Sequence, residues 1–102
     1  MDLETICQRV FQKAFAQAVD LCVPVAYINM HVRSFPFDIN DFRETFRKYV
    51  RNTPLSNVDL DVSESEDIEE GLIILDSLEE FADEDNDPEV IPFHEVLREI
   101  RL

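Results

Sequence analysis

Two alternating segments flank a helical one in residues 23–63, and this order constrains the fold more than any other feature of the chain. In residues 25–32, apolar side chains occupy every second position, which predicts a strand with one buried face. In residues 57–63, apolar side chains alternate with acidic and other polar ones, which predicts a second strand with one apolar, buried face and one acidic face. The segment therefore predicts a strand–helix–strand unit.

The helix of this unit is predicted over residues 38–51. Asp38 is a preferred N-cap residue, and Phe37 and Phe42 occupy the two positions of a hydrophobic staple around that cap. Pro54 disfavours helical geometry in the residue before it, so the helix is expected to end a few residues earlier. Apolar residues at three- and four-residue spacing give this helix one face for a core.

Two more elements are predicted outside this unit. Residues 2–21 have the apolar period of a long amphipathic helix. A continuous apolar run predicts a third strand over residues 72–79, with a helix beginning near Asp76 as the alternative. Each of the predicted helices and strands has an apolar side that must be buried against another element. We therefore predict an α+β fold in which two helices pack on one face of a three-stranded sheet.

The chain is predicted to have one core domain, residues 1–81, followed by a linker and a tail. Residues 82–89 have the acidic composition of a disordered linker. Residues 90–102 form an apolar tail, helical or extended, that is too short to make a core of its own. The tail is expected to reach back over its own sheet edge, which leaves a monomer, or to exchange with a second copy and form a homodimer.

Cysteine usage and hydropathy exclude several classes of protein. The chain has 102 residues and two cysteines, Cys7 and Cys22, which lack the pairing of a zinc site and the density of a disulfide framework. Both are predicted to be buried thiols. No apolar run is long enough for a membrane span, and the acidic N-terminus does not resemble a signal peptide, so the cytoplasm is the expected compartment.

The formal charge of −14 is concentrated in one part of the chain. Residues 1–58 contain seven Lys/Arg and six Asp/Glu, whereas residues 59–89 contain 15 Asp/Glu and no Lys or Arg. Such a segment repels nucleic acids and anionic membranes; it either faces a basic partner or a cation, or serves as a solvated loop. The candidate partner-binding residues are Phe35, Asp59, Asp61, Glu64, Glu66, Asp67, Glu69, Glu70, Asp83, Glu84, Asp85, Phe93 and Leu97.

The order of the elements, together with particular residues, resembles the hydrogenase nickel-insertion accessory proteins (the HypA/HybF family). The resemblance covers residues 1–81 and implies that family's α+β core and a role in docking on another protein. The residues that carry it are Cys7-Gln8-Arg9, the strand of residues 25–32, Phe42 and Phe46, Thr53-Pro54-Leu55, the strand of residues 58–62, and Ser77-Leu78-Glu79 as the family's closing strand.

The chain departs from this family at both of its metal sites. The family binds nickel with the amino terminus and a His directly after the initiator Met, and this position is Asp2 here. A lone carboxylate is a hard oxygen ligand, so Asp2 is only a weak metal candidate. The family's zinc ribbon is replaced by the few residues 67–70. We therefore predict no cofactor, no zinc, and at most weak nickel binding.

These observations predict a non-catalytic protein-binding accessory protein that resembles a stripped nickel-insertion chaperone core. No Ser or Cys has a sequence-linked base, no glycine-rich phosphate loop occurs, and His31 and His94 have no fixed spacing, so an enzyme is not expected. The alternative is an acidic inhibitor that imitates nucleic acid and presents its carboxylates to the basic cleft of a nucleic-acid enzyme.

Overall fold

The computed structural model describes residues 2–19, 25–81, 87 and 89–102. These ranges contain two α-helices, five strands and one 3₁₀ turn, which confirms the α+β class. In chain order the elements are α1 (Leu3–Ala18), β1 (Val25–Val32), α2 (Ile39–Tyr49), β2 (Asp59–Glu64), β3 (Leu72–Glu80), β4 (Val90–Pro92), the 3₁₀ turn (Glu95–Leu97) and β5 (Glu99–Arg101).

Both helices begin at the aspartates placed to cap them. The Asp2 carboxylate accepts a hydrogen bond from the Thr5 backbone N–H at 2.8 Å, and the Asp38 carboxylate accepts one from the Asn40 N–H at 2.8 Å. The predicted start of the second helix is therefore confirmed. The ring of Phe35 lies 5.1 Å from that of Phe42, so Phe35 takes part in the aromatic packing around this cap.

The sheet has the spatial order β2-β1-β3, and the last two strands both pair with the outer edge of β3. Strands β1 and β2 are parallel, as the helix between them allows, whereas all pairings of β3 are antiparallel. The third strand is confirmed over Leu72–Glu80, and the helix considered from Asp76 is not formed. Before it, Gly71 adopts a φ of 72°, in the left-handed region that favours glycine.

The prediction of a three-stranded sheet was wrong, because the tail adds β4 and β5 to it. Each of these strands has only three residues, too few to show an alternating pattern in the sequence. They form because the outer edge of β3 offers unpaired backbone groups. Between them, the Phe93 N–H donates to the Asp76 carbonyl at 3.1 Å, and the Leu75 N–H donates to the Arg98 carbonyl at 2.6 Å.

The core lies between the two helices and one face of the sheet. Strand β1 contributes alternate residues to it, and Phe42 and Phe46 of α2 are fully buried. The tail contributes Phe93 and Ile100, which are 4% and 2% exposed. The remaining buried apolar residues of this cluster are Ile6, Cys7, Val10, Ala14, Val25, Ile28, Met30, Val32, Val50, Leu55, Val58, Leu60, Ile73, Leu75 and Leu78.

Two β-bulges interrupt the pairing of β1 with β3. Between the pairs Met30–Leu75 and Asn29–Ser77, Asp76 is an extra residue on β3. Between the pairs that join Val25 to Glu80 and Tyr27 to Glu79, Ala26 is an extra residue on β1. Bulges increase the local twist and redirect side chains, so this pairing differs from a regular ladder at one end and near its middle. Neither helix is long and apolar enough to cross a membrane, within the ranges the structure describes.

Candidate functional site

On the face of the sheet opposite the core, no helix of the described ranges packs, and its side chains differ in exposure, with Tyr27 42% exposed and Ser77 3% exposed. We call this face the open sheet face and define it by one row of residues from each of the three long strands. Its character is polar and acidic, with one exposed aromatic ring. Its residues are Tyr27, Asn29 and His31 of β1, Asp59, Asp61 and Ser63 of β2, and Ile74, Ser77 and Glu79 of β3.

A cleft of about 260 Å³ lies at the end of this face where β1 and β2 begin and β3 ends. Two exposed aromatic residues, Tyr27 and Phe81, line it together with the acidic residues Asp59, Glu79 and Glu80. Ala26 and Asn57 complete the lining. We call it the aromatic cleft. The bulge at Ala26 belongs to it, so the cleft forms where the ladder between β1 and β3 is irregular.

A wider, shallower cleft of about 950 Å³ lies at the opposite end of the strands, and we call it the loop cleft. It brings together four of the predicted partner-binding residues, namely Phe35, Glu64, Glu66 and Glu70. Their carboxylates are exposed, and Phe35 is half-buried against the core. Arg33, Ser34 and Ser65 complete the lining. The Arg33 guanidinium donates to the Ile68 carbonyl at 2.9 Å and so ties the following loop to the end of β1.

Two of the predicted carboxylates are already paired with arginines of the same chain. Asp59 accepts a hydrogen bond from the Arg47 guanidinium at 2.8 Å, and this bond raises the pKa of Arg47 above its usual range. Glu69 accepts one from Arg101 at 3.3 Å. Both pairs are exposed to solvent and contribute little to stability. They leave Asp59 and Glu69 less able to attract a partner than the carboxylates of the two clefts.

The other predicted residues fall into three groups. Asp61 and Asp67 are exposed, on the open sheet face and in the loop after β2. Leu97 is half-buried beside α1, whereas Phe93 is 4% exposed in the core, so Phe93 is not available to a partner in this fold. That correction follows from the tail's insertion beside β3. The carboxylates of Asp83, Glu84 and Asp85, and most of the predicted linker, lie outside the described residues.

Charge is divided between the two layers of the molecule. Helices α1 and α2 carry five basic residues, which are Arg9, Lys13, Arg43, Arg47 and Lys48. The described strands and connections after Asp59 carry mostly acidic residues, with Arg98 and Arg101 as their basic ones. We call the sheet and its connecting loops the acidic layer. The open sheet face and both clefts belong to this layer.

Two titratable groups outside the clefts, Cys7 and Asp2, have structural roles. Burial, with a smaller effect of the Glu4 carboxylate, raises the pKa of the Cys7 thiol to about 12, so at neutral pH this thiol is not a nucleophile. The hydrogen bonds from Thr5 lower the pKa of Asp2, which serves as the cap of α1. No group of three or more His, Cys, Asp or Glu side chains within the described ranges is arranged to hold a metal ion.

The sequence pattern did not single out Tyr27, Phe81, Glu79 and Glu80 as members of one site. Alternation alone places Tyr27 on the polar side of its strand, and in the sequence Glu79 and Glu80 are simply two adjacent acidic residues. The pairing of Tyr27 with Glu79 joins positions 52 residues apart and depends on strand order, which local patterns do not encode.

Comparison of the chain with protein-family models, with curated proteins and with solved structures found no significant match. The resemblance to the nickel-insertion accessory proteins therefore stays a prediction.

Proposed function

We propose that this protein is a non-catalytic, protein-binding accessory factor that docks on a larger protein with the acidic layer of its fold. The observation that carries the proposal is the open sheet face, on which no helix of the described ranges packs. A two-layer fold needs its second sheet face covered only if that face is apolar. Here the face is polar enough to stay in water, and it also exposes the Tyr27 ring.

The arrangement favours binding over chemistry. The aromatic and loop clefts hold aromatic rings and carboxylates, which are suited to contacts with apolar and basic groups of another protein. The Cys7 thiol is buried and protonated, and Asp2 is used in a helix cap. These features agree with an adaptor that resembles the core of a nickel-insertion chaperone without its metal chemistry.

The second candidate is an acidic inhibitor that imitates nucleic acid. One observation favours it: Asp59, Asp61, Glu64 and Glu66 follow one another along the edge strand β2 and the loop after it. A row of carboxylates along an extended edge resembles the regular negative charge of a nucleic-acid strand. Such an inhibitor would bind the basic cleft of a nuclease or polymerase.

Capture of the partner from the native host, followed by mass spectrometry, tests the proposal. Recovery of hydrogenase-system proteins alone supports the accessory factor, and recovery of a nuclease or polymerase supports the inhibitor. Recovery of no protein that rebinds in purified form contradicts both.

Salt dependence then separates the two modes of binding. The affinity of the captured partner is measured between 50 mM and 500 mM salt, with and without competing DNA and RNA. Docking through apolar and a few charged contacts is expected to weaken little, whereas a nucleic-acid mimic loses affinity steeply and competes with nucleic acid. A variant that combines Asp61→Asn, Glu64→Gln and Glu66→Gln is expected to reduce the salt dependence of the affinity only if the protein is a nucleic-acid mimic.

Nickel titration tests the relation to the nickel-insertion proteins. Because the Asp2 carboxylate accepts the Thr5 N–H, and imidazole is absent at this position, we expect calorimetry to show at most weak nickel binding. Submicromolar affinity, or stoichiometric zinc in the purified protein, would contradict this expectation. The variant Asp2→Asn keeps a capping side chain and serves as the control for any carboxylate-dependent binding.

A further inference from the structure

We propose that the aromatic cleft binds the side chain of an arginine presented by the partner protein. This inference rests on the proposed function and names the partner's chemistry and the place where it docks. The site comprises the rings of Tyr27 and Phe81 and the carboxylates of Glu79 and Glu80, at the end of the open sheet face.

The two aromatic rings are the first observation. Tyr27 is 42% exposed and Phe81 is 51% exposed. Two other aromatic residues, Phe15 and Tyr49, are nearly as exposed, but each of their rings packs on the ring of Phe11, at 5.7 and 5.6 Å. The two rings line one concave cleft instead of lying separately on the surface. A planar guanidinium stacks on an aromatic face, which gives these exposed rings a specific use.

The carboxylates are the second observation. Glu79 is paired with Tyr27 across the two strands, and Glu80, the next residue of β3, also lines the cleft. Asp59, on the same lining, already accepts two hydrogen bonds from one guanidinium, from Arg47 Nη2 at 2.8 Å and Nε at 3.3 Å. The described part of the chain contributes no ion pair to Glu79 or Glu80, so their negative charge is available to a second guanidinium.

The size of the cleft points to a single side chain. Its volume of about 260 Å³ is below the roughly 300–1,000 Å³ typical of pockets for drug-sized ligands and cofactors. Arginine fits the lining better than lysine, because its flat fork can stack on a ring and bond a carboxylate at the same time. The loop cleft, at about 950 Å³, is more open, and its only aromatic ring is the half-buried Phe35.

The test uses the full chain, labelled with ¹⁵N, and a blocked Gly-Ser peptide that carries one arginine. We expect saturable amide shifts centred on Tyr27, Glu79 and Phe81. The same peptide with citrulline in place of arginine keeps the shape and loses the charge, and it is expected to produce no saturable shifts. A lysine peptide is expected to bind more weakly than the arginine peptide.

Variants locate the binding. Glu79→Gln with Glu80→Gln is expected to weaken peptide binding about threefold or more, and Tyr27→Leu about two- to fivefold. The matched control, Glu64→Gln with Glu70→Gln, removes the same charge from the loop cleft and is expected to leave binding unchanged. Thermal midpoints and amide spectra of all variants verify that each is folded.

Several outcomes overturn the inference. These are shifts centred on the loop cleft, equal binding of the citrulline peptide, and an equal loss of affinity in the matched control. The captured partner separates this failure from failure of the proposed function. If the partner binds the wild type and the Glu79→Gln/Glu80→Gln variant equally, the arginine site is wrong and the accessory function stands. If the peptide binds the cleft but no protein partner is captured, the accessory function is wrong and the arginine site stands.

Discussion

At the scale of single residues, Gln17 is the polar side chain that joins α1 to the tail. It is 4% exposed, its amide nitrogen donates to the Pro92 carbonyl at 3.4 Å, and its amide oxygen accepts from the His94 N–H at 3.2 Å. A glutamine among apolar neighbours is tolerated because both ends of its amide are bonded. Gln17 therefore fixes where the tail leaves β4.

Replacement of Gln17 by leucine is expected to lower the free energy of unfolding by about 1–3 kcal/mol, because it removes two part-buried hydrogen bonds to the backbone of the tail. Chemical denaturation measures this difference. The same change at Gln8, an exposed residue of the same helix, is expected to alter stability by less than about 0.5 kcal/mol. Equal effects at the two positions would show that the amide bonds of Gln17 do not hold the tail.

The Cys7 thiol predicts a loss of stability at alkaline pH. Desolvation, with a smaller effect of Glu4, raises its pKa from 9.0 to about 12. The unfolded chain loses this proton above about pH 9 and the folded protein retains it, so the unfolded state binds fewer protons and stability falls as the pH rises from about 9 towards 12. In a Cys22→Ala background, the slope is expected to approach about 1.4 kcal/mol per pH unit.

Comparison with the variant Cys7→Ala in the same background isolates this effect. Its stability is expected to be lower at pH 7, since a buried atom is lost, but to fall less steeply above pH 9. Denaturation curves at pH 7, 9 and 10.5 give the slope of stability against pH for the protein with Cys7 and for the Cys7→Ala variant. Identical slopes would mean that Cys7 is not protected from solvent.

At the scale of elements, the tail is the part of the chain whose role the fold explains best. Strands β4 and β5 cover the outer edge of β3, and the 3₁₀ turn between them carries the chain past the bulge at Asp76. An uncovered strand edge favours pairing with other chains, so the tail also protects β3 from aggregation.

Substitutions in the tail are expected to reduce stability strongly at buried positions and only slightly at exposed ones. Ile100→Ala removes a side chain that is 2% exposed in the hydrophobic core, and it should cost about 2–5 kcal/mol. Val96→Ala changes a side chain that is 85% exposed in the 3₁₀ turn, and it should cost less than about 0.5 kcal/mol. Thermal and chemical denaturation compare the two. A small cost at Ile100 would place β5 outside the cooperative core.

At the scale of the whole molecule, the uneven charge sets how the protein responds to salt. The formal charge is −14, and 15 carboxylates fall within residues 59–89 without a Lys or Arg. Self-repulsion in the acidic layer opposes folding, and salt screens it. An increase from 10 mM to 500 mM NaCl is therefore expected to raise the thermal midpoint by several degrees, since 1 kcal/mol corresponds to about 4–8 °C in a domain of this size.

A charge variant checks the cause of this response. Glu64→Gln with Glu66→Gln is expected to raise the midpoint at 10 mM NaCl and to show a smaller further increase at 500 mM. A midpoint that does not depend on salt in either protein would mean that the carboxylates are too well solvated to repel one another.

The position of the tail also predicts the solution mass. Because β4 and β5 pair with β3 of the same chain, a second copy is not required to bury Phe93 and Ile100. We expect light scattering to give the monomer mass of 11.9 kDa at low concentration. A stable mass of twice this value, lost on deletion of residues 83–102, would indicate exchange of the tail between two chains.

The sequence by itself determined the local elements of this protein. Alternation in residues 25–32 and the cap at Asp38 depend on neighbours within a few positions, and both β1 and the start of α2 lie where they were predicted. The α+β class follows, because each element has one apolar side to cover. These features need only short-range spacing, which the sequence displays directly.

The tertiary structure alone decided the strand number, the burial of the tail and the composition of the clefts. Strands of three residues have no pattern of their own and exist because the edge of β3 binds them. The aromatic cleft depends on strand order and on the bulge at Ala26, which brings Tyr27 beside Glu79. Such contacts join residues about 50 positions apart, and their register is set by packing of the whole sheet rather than by any local preference.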